Sequence, residues 1–181
     1  MEHDQNRLLF LKKFMNDAFP IDNPWDVAGL QPWIYMRYAE VLLNFAEASN
    51  EAYGPDAVPA GASMSARQAV NMVRARPDVN MPALASGLSQ AQMRDAVRYE
   101  RRVELAFEEH RYYDVRRWQI APQVESKPAA GIIVTKTGSA LTYAPKVALD
   151  GKTFQNKQYW LPIPRAEILS SGGKLEQNPG Y

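Results

Sequence analysis

The fold of this protein is decided by residues 94–118, whose sequence is RDAVRYERRVELAFEEHRYYDVRRW. Apolar residues recur in and just before this stretch at helical spacing, which predicts one apolar helix face. They are Met93, Ala96, Val97, Val103 and Phe107. The stretch holds seven arginines against six acidic residues, so its charge nearly cancels. A phosphate-binding surface needs an excess of positive charge, and the stretch therefore argues against nucleic acid as a partner.

Two carboxylates lie on or beside this apolar face, because steps of three and four from Val97 also reach Glu100 and Glu104. A buried carboxylate costs several kcal/mol unless a cation pairs with it. Arginine is the expected partner, since ten of the thirteen arginines lie between residues 67 and 117 and no lysine lies between Lys13 and Lys127. The sequence therefore predicts a structural ion network of Glu100, Arg101, Glu104, Arg111, Asp114 and Arg117.

The same two carboxylates could instead be the catalytic pair of a glycosidase. So many arginines would keep both groups ionised, which leaves no proton donor for that reaction. The chain has no cysteine and two histidines, and His110 stands beside glutamates whose side chains diverge on a helix. We therefore predict no enzyme activity, no catalytic residue, no metal site and no cofactor.

The whole chain has 181 residues, of which 46% are apolar and 23% charged, with a net charge of +1. This composition predicts one folded domain rather than a disordered tail, and it provides no field to attract nucleic acid or an anionic membrane. The first residues, MEHDQNRLLFLKKF, are not typical of a signal peptide, because acids come first and the apolar run is short.

Apolar spacing predicts a first helix from Trp33, ended by Gly54 and Pro55. Its predicted apolar face comprises Ile34, Tyr38, Val41, Phe45, Ala48 and Ala52, widened by Ala39, Leu42 and Leu43. Two capping boxes, Ser65 with Gln68 and Ser89 with Gln92, predict the starts of two more helices. A further helix should contain Tyr112, Tyr113, Val115 and Trp118, with Pro122 closing the region.

The four tryptophans divide into two pairs. Trp33 and Trp118 fall on predicted helix faces and are expected in the core. Trp25 and Trp160 fall in irregular segments, which makes them the aromatic candidates for an exposed ligand-binding surface.

Beyond Pro122 the chain becomes rich in Gly, Pro, Lys and Thr. We predict at most a short hairpin, with a strand at residues 132–134 and a tight turn at Asp150-Gly151. Residues 159–164 should follow an extended path that packs across the helices. The whole chain, 1–181, is thus predicted to be one mainly α domain: an extended first segment (1–32), a helical array (33–121) and a loop-rich packing segment (122–181).

Five stretches of the chain resemble, in order and spacing, the C-terminal part of the SusD/RagB family of outer-membrane nutrient-binding lipoproteins. They are residues 36–52, 69–80, 96–119, 159–169 and the closing QNPGY at 177–181. The block ERRVELAFEEHRYYDVRRW is the most specific of them. One departure is Glu109, where the family often has glycine.

The resemblance implies a SusD-like fold of tetratricopeptide-like helix pairs with a loop-rich remainder. It also implies a cell-surface location at the outer membrane and a non-catalytic role. A member captures oligosaccharide, or in some cases peptide, and delivers it to a SusC-like TonB-dependent transporter. The family's glycan-contacting residues lie upstream of the matching stretch, so none is assigned a position here, and neither a signal peptide nor a lipidation cysteine is found in this chain. The alternative is a helical-repeat scaffold that binds a partner protein or peptide.

Overall fold

The protein is mainly α-helical, with one two-stranded sheet. The computed structural model describes residue 13 and residues 33–77 and 79–181. The helices are α1 (Tyr38–Tyr53), α2 (Ala66–Arg74), α3 (Gln90–Glu104), α4 (His110–Arg117), α5 (Ala121–Glu125) and α6 (Arg165–Ser170). The strands β1 (Ala129–Thr137) and β2 (Ala140–Leu149) lie between α5 and α6, and a 3-10 helix at Asn156–Tyr159 precedes α6. The predicted first segment, 1–32, lies outside the described residues except for Lys13.

The hydrophobic core lies between α1, α2 and α3, and α1 contacts both of the other two helices. The buried residues of α2 are Ala66, Ala69, Val70 and Val73. Because these side chains are small, the α2 backbone approaches α1 closely. At the far end of α1, the amides of Asn50 and Gln90 each donate to the other residue's carbonyl oxygen, at 3.0 and 2.7 Å, and so join α1 to the start of α3.

The predicted apolar face of α1 is wrong by about one position. Ile34, Tyr38 and Val41 are exposed, as is Trp33 at 53%. Trp33 and Ile34 precede the helix, which begins only at Tyr38. The buried side contains the residues that were expected only to widen the face, together with Ala46: Ala39, Leu42, Leu43 and Ala46. Two overlapping apolar stripes run along this helix, and the one with more small residues packs against its neighbours.

Both predicted capping boxes are confirmed. The Ser65 and Ser89 hydroxyls accept hydrogen bonds from the backbone N–H groups of Gln68 and Gln92, and each Gln side chain accepts from the serine N–H in return. Gly54 ends α1 with a φ of 87°, a conformation that glycine adopts without steric cost.

The end of α3 differs from the prediction. Met93 and Val97 are buried as expected, but Val103 and Phe107 are exposed. The helix ends at Glu104, and Phe107 then takes a φ of 63°, so it leaves the helical face. Pro122 does not close the helical region; it lies in the first turn of α5, where a residue without an N–H is tolerated.

The hairpin is longer than predicted and turns at a different place. β1 and β2 are antiparallel, with Thr137 opposite Ala140, so the turn is at Gly138-Ser139. Asp150-Gly151 instead lies in an irregular segment after β2, where the Asp150 carboxylate accepts a 2.8 Å hydrogen bond from the Gly151 N–H. Every residue of β2 is exposed.

Hydrogen bonds join residues 160–163 to the chain end at residues 177–181. The Gln177 side chain accepts from the Ile163 N–H at 2.7 Å and donates to the Ile163 carbonyl at 3.0 Å. Asn178 donates to the Leu161 carbonyl at 2.6 Å, and the Tyr181 hydroxyl donates to the Trp160 carbonyl at 3.2 Å. The extended path expected at 159–164 is confirmed at Trp160 and Pro164, and the chain end, rather than the helices, satisfies its backbone groups.

Glu109 occupies a left-handed backbone conformation, with φ 66° and ψ −2°, at the start of α4. A side chain costs roughly 1–2 kcal/mol there, whereas glycine costs about 0.5–1 kcal/mol in chain entropy. We expect Glu109→Gly to raise the free energy of unfolding by up to about 1 kcal/mol in urea denaturation. Glu109→Ala, which keeps the Cβ atom, is the control and should give no such gain. Equal effects of the two changes would contradict the backbone explanation.

Candidate functional site

The two carboxylates on α3 are each held by arginines from outside that helix. Glu100 Oε2 lies 2.5 Å from Arg74 Nη1, and Arg74 also donates from Nε to the Pro82 carbonyl at 2.8 Å. The Glu100 side chain is only 8% exposed. The pair therefore fixes the end of α2 against the middle of α3.

Glu104 is contacted by two guanidinium groups. Arg76 donates to its two oxygens at 2.8 and 3.0 Å, and Arg37 Nη1 donates to Oε1. Arg37 also forms a forked pair with Glu108, at 2.8 and 2.9 Å. Because Arg37 immediately precedes α1, these contacts join the start of α1 to the ends of α2 and α3.

Lys13 adds a third cation to this cluster. Its Nζ donates to the Glu104 and Ala106 carbonyls at 2.7 and 2.9 Å and pairs with the Glu108 carboxylate. The last carbonyls of a helix carry partial negative charge and have no partner within the helix, so a lysine here caps α3.

A second cluster surrounds Asp114 on α4, which is buried. Arg101 Nε donates to Asp114 Oδ2 at 2.6 Å, and both side chains are about 5% exposed. Arg117 Nε donates to Oδ1 at 3.0 Å, and Arg101 Nη1 reaches Asn44 on α1 at 2.6 Å. Arg117 and Trp118 also donate to Glu47 on α1, at 2.5–2.8 Å. These bonds hold α4 against α1 and α3.

Of the six residues predicted for the ion network, Arg101, Glu104, Asp114 and Arg117 lie in these two clusters, and Glu100 forms its separate pair with Arg74. Arg111 belongs to none of them. Burial lowers the pKa of Arg111, and the neighbouring charge of Arg102 lowers it further. Glu125 and Asp114 act in the opposite direction through space. Arg111 is therefore a half-buried cation with no ion pair in the described part of the chain.

The aromatic candidates are placed differently. Trp160 is 65% exposed, so its ring is accessible. Trp118 is half-buried, with the guanidinium groups of Arg98 and Arg117 at 4.9 and 4.7 Å from its ring. Trp25 lies outside the described residues. The use of Trp160 as a ligand-binding surface stays a prediction.

A groove of about 340 Å³ follows α1 beside the second cluster. Its charged groups include Glu47, Glu51, Arg101 and Arg117, and each is already paired: Glu51 with Arg94, the others as described above. This groove is thus part of the helix-joining network. Within residues 33–77 and 79–181, no group of His, Asp and Glu is arranged to hold a metal ion, and no helix is long and apolar enough to cross a bilayer.

Several members of the clusters were not singled out from the sequence. Arg74 and Arg76 belong to the arginine-rich region, and a search for partners on the preceding helix could have found them. Arg37, Glu47 and Lys13 lie far along the chain from their partners, so no local spacing connects them. Only the folded arrangement of α1 against α3 and α4 brings them together.

Removing the Glu104 carboxylate should destabilise the fold strongly. Glu104→Ala leaves two half-buried arginines with one fewer partner, and we expect a loss of about 3 kcal/mol in the free energy of unfolding by urea denaturation. Asp95→Ala, on the exposed side of the same helix, is the matched control and should change stability by less than about 0.5 kcal/mol. Similar small losses of stability in both variants would show that Glu104 and its arginine partners are effectively solvated.

The network should also make stability depend on pH on the acid side. Burial acts to raise the pKa of Glu47 and of Glu108, but hydrogen bonds from Arg117 and Trp118 to Glu47, and from Arg37 and Lys13 to Glu108, outweigh it. Both pKa values are thus lowered from the ordinary 4.5. Groups with a lowered folded-state pKa stabilise the fold above the unfolded pKa, and this contribution disappears as the pH falls through the folded pKa.

We therefore expect the melting temperature to fall as the pH is lowered below about 4.5. Glu47→Gln and Glu108→Gln should each lose less stability than the wild type between pH 7 and pH 3, measured by thermal denaturation. Glu176→Gln, at an exposed carboxylate, should keep the wild-type pH dependence. Identical pH profiles for all four proteins would contradict this assignment.

With the geometry established, comparisons with known proteins identify the family. The sequence profile of the SusD family matches residues 2–181. SusD-like protein P2 of Formosa agariphila is 32% identical over 155 residues, which are 82% of this chain and 26% of that protein. The crystal structure of a SusD-like protein from Bacteroides fragilis is 38% identical, with a TM-score of 0.65, and the match covers 83% of this chain and 26% of that one.

A third match, surface glycan-binding protein A from Bacteroides thetaiotaomicron, is 23% identical with a TM-score of 0.55. The match covers 82% of this chain and 25% of that protein, and it shows a similarity of fold. The chain thus spans about a quarter of the length of the relatives that it matches. The mainly α fold agrees with these matches, and the chain belongs to the SusD family.

Proposed function

We propose that the protein is a non-catalytic, glycan-binding component of the outer cell surface that delivers oligosaccharide to a SusC-like TonB-dependent transporter. The observation that carries this proposal is the SusD-family match over residues 2–181. A solved protein of the same fold, surface glycan-binding protein A, is named for glycan binding, which supports glycan as the ligand class.

In this proposal, the helical array of residues 33–121 acts as a rigid support. Its buried arginine–carboxylate pairs fix the angles between α1, α2, α3 and α4. A support of this kind presents binding residues on the neighbouring segments with little loss of entropy on binding. The loop-rich segment, 122–181, offers accessible aromatic and polar groups beside those of the helical array, and Trp160 is one of them.

The absence of catalysis in this proposal follows from how the carboxylates are used. Glu100 and Glu104 are engaged by Arg74, Arg76 and Arg37, and their oxygens face helix-joining contacts rather than an open cleft. A glycosidase needs one carboxylic acid that holds a proton and a second carboxylate facing the same sugar.

The proposal is tested by purifying the affinity-tagged protein from the membranes of its native host and by measuring binding to a panel of oligosaccharides and peptides by calorimetry. We expect a TonB-dependent transporter to co-purify and at least one oligosaccharide to bind. Recovery of neither would contradict the proposal, and selective binding of peptides would favour the peptide-binding scaffold.

Trp160 provides a variant for the same measurement. Trp160→Ala should weaken oligosaccharide binding about fivefold, which corresponds to ~1 kcal/mol of aromatic stacking, without changing the melting temperature. Tyr143→Ala on β2 is the matched control, because Tyr143 is exposed to the same degree, 66% against 65%. Equal losses in the two variants would remove Trp160 from the proposed binding surface.

A further inference from the structure

A second groove, of about 310 Å³, lies between the end of the helical array and the segment that follows β2. Small-molecule sites typically have volumes of about 300–1,000 Å³, so this groove suits a ligand of the size of one sugar residue. Its lining residues come from α4, α5 and the segment 152–158. They are Arg116, Glu125, Lys152, Thr153, Phe154 and Gln158.

Contacts on both sides hold the walls of this groove. The Arg116 guanidinium lies 3.5 Å from the centre of the Tyr112 ring and 5.6 Å from that of Phe154, and its Nη1 donates to the Tyr112 carbonyl at 2.9 Å. The Phe154 ring packs edge-on against Tyr159, with 4.9 Å between ring centres. The Phe154 N–H donates to the Ser126 hydroxyl at 2.9 Å, which attaches this segment to the end of α5. The groove is therefore formed before any ligand arrives.

The polar groups in this groove are used differently from those in the groove along α1. There the glutamates and arginines already pair with one another. In the second groove, the side chains of Lys152, Thr153 and Glu125 form no hydrogen bond or ion pair with the described residues. These side chains do not join elements of the fold to one another, so their hydrogen-bonding capacity is available to a ligand.

The charge of the groove selects the kind of ligand. Arg116 and Lys152 contribute two positive charges, and Glu125 contributes one negative charge that also acts on Arg111 through space. The excess is positive, and both arginine and lysine are good donors to a carboxylate. Phe154 adds an apolar face for a sugar ring, while Glu125 and Thr153 can pair with hydroxyl groups.

We propose that this groove binds a sugar residue that carries a carboxylate, that is, a uronic acid unit of an oligosaccharide. The proposal rests on the glycan-binding function proposed above and specifies a ligand class and a location for it. The carboxylate contacts Lys152 and Arg116, and the ring lies against Phe154.

The test is calorimetric titration of the 181-residue protein with two probes, trigalacturonate and the neutral maltotriose. Lys152→Gln should weaken trigalacturonate binding about tenfold, as expected for the loss of one charge-assisted hydrogen bond, with no effect on maltotriose. Glu125→Gln should strengthen trigalacturonate binding, because it removes a negative charge from the groove. Lys136→Gln on β1, at an exposed lysine outside the groove, is the matched control and should leave both affinities unchanged. Circular dichroism melting curves verify that each variant is folded.

Each other outcome overturns the inference. Equal weakening by Lys152→Gln and Lys136→Gln would mean non-specific attraction to positive charge. Glycan binding that is insensitive to Lys152→Gln and Glu125→Gln would remove the groove as the site and leave the proposed function intact. Failure of wild type to bind trigalacturonate would overturn the inference, while co-purification of a transporter would still decide the proposed function separately.

Discussion

A carboxylate that is buried in a protein needs a cation beside it, and this requirement determines how the helices of the array meet. Glu100, Glu104 and Asp114 are largely buried, and arginines from other turns or helices reach each of them. Each pair joins two elements at a defined point, so the network specifies how helices meet as well as neutralising charge. The α2 side of the apolar core consists of small residues, alanines and valines, whose packing alone would tolerate several arrangements. Directional guanidinium–carboxylate pairs select one of these arrangements.

The sequence predicted the features that depend on local spacing and missed those that depend on packing. The capping boxes at Ser65 and Ser89 need only four adjacent residues, and both helix starts are where those residues place them. The buried side of α1 could not be chosen in advance, because two apolar stripes overlap and only contact with α2 and α3 distinguishes them. The hairpin turn was assigned to Asp150-Gly151 because that dipeptide favours tight turns, whereas pairing across the whole of β1 and β2 places it at Gly138-Ser139. The network needed Arg37 and Lys13, whose partners are distant in sequence.

The two halves of the described chain have different physical characters, and this difference bears on function. In the helical array, the largely buried carboxylates are paired with arginines. In the segment after α5, the side chains of Gln177, Asn178 and Tyr181 bind backbone groups of residues 160–163, while other aromatic and polar groups remain accessible. A rigid unit that carries a segment with accessible groups is a common arrangement in proteins whose functional residues lie on loops.

The exclusive use of arginine in the array has a practical consequence for handling the protein. All lysines are at positions 12, 13, 127, 136, 146, 152, 157 and 174. Reagents that couple to primary amines on lysine side chains, including fluorescent labels, sensor-chip chemistries and most cross-linkers, therefore cannot modify residues 14–126. Labelling would leave residues 33–121 unmodified, but it would reach Lys13 at the end of α3 and the lysines of the segment that carries the second groove. Attachment through lysines would thus risk blocking that groove, and a cysteine introduced by mutation, in a chain that has none, would offer a unique site for thiol coupling instead.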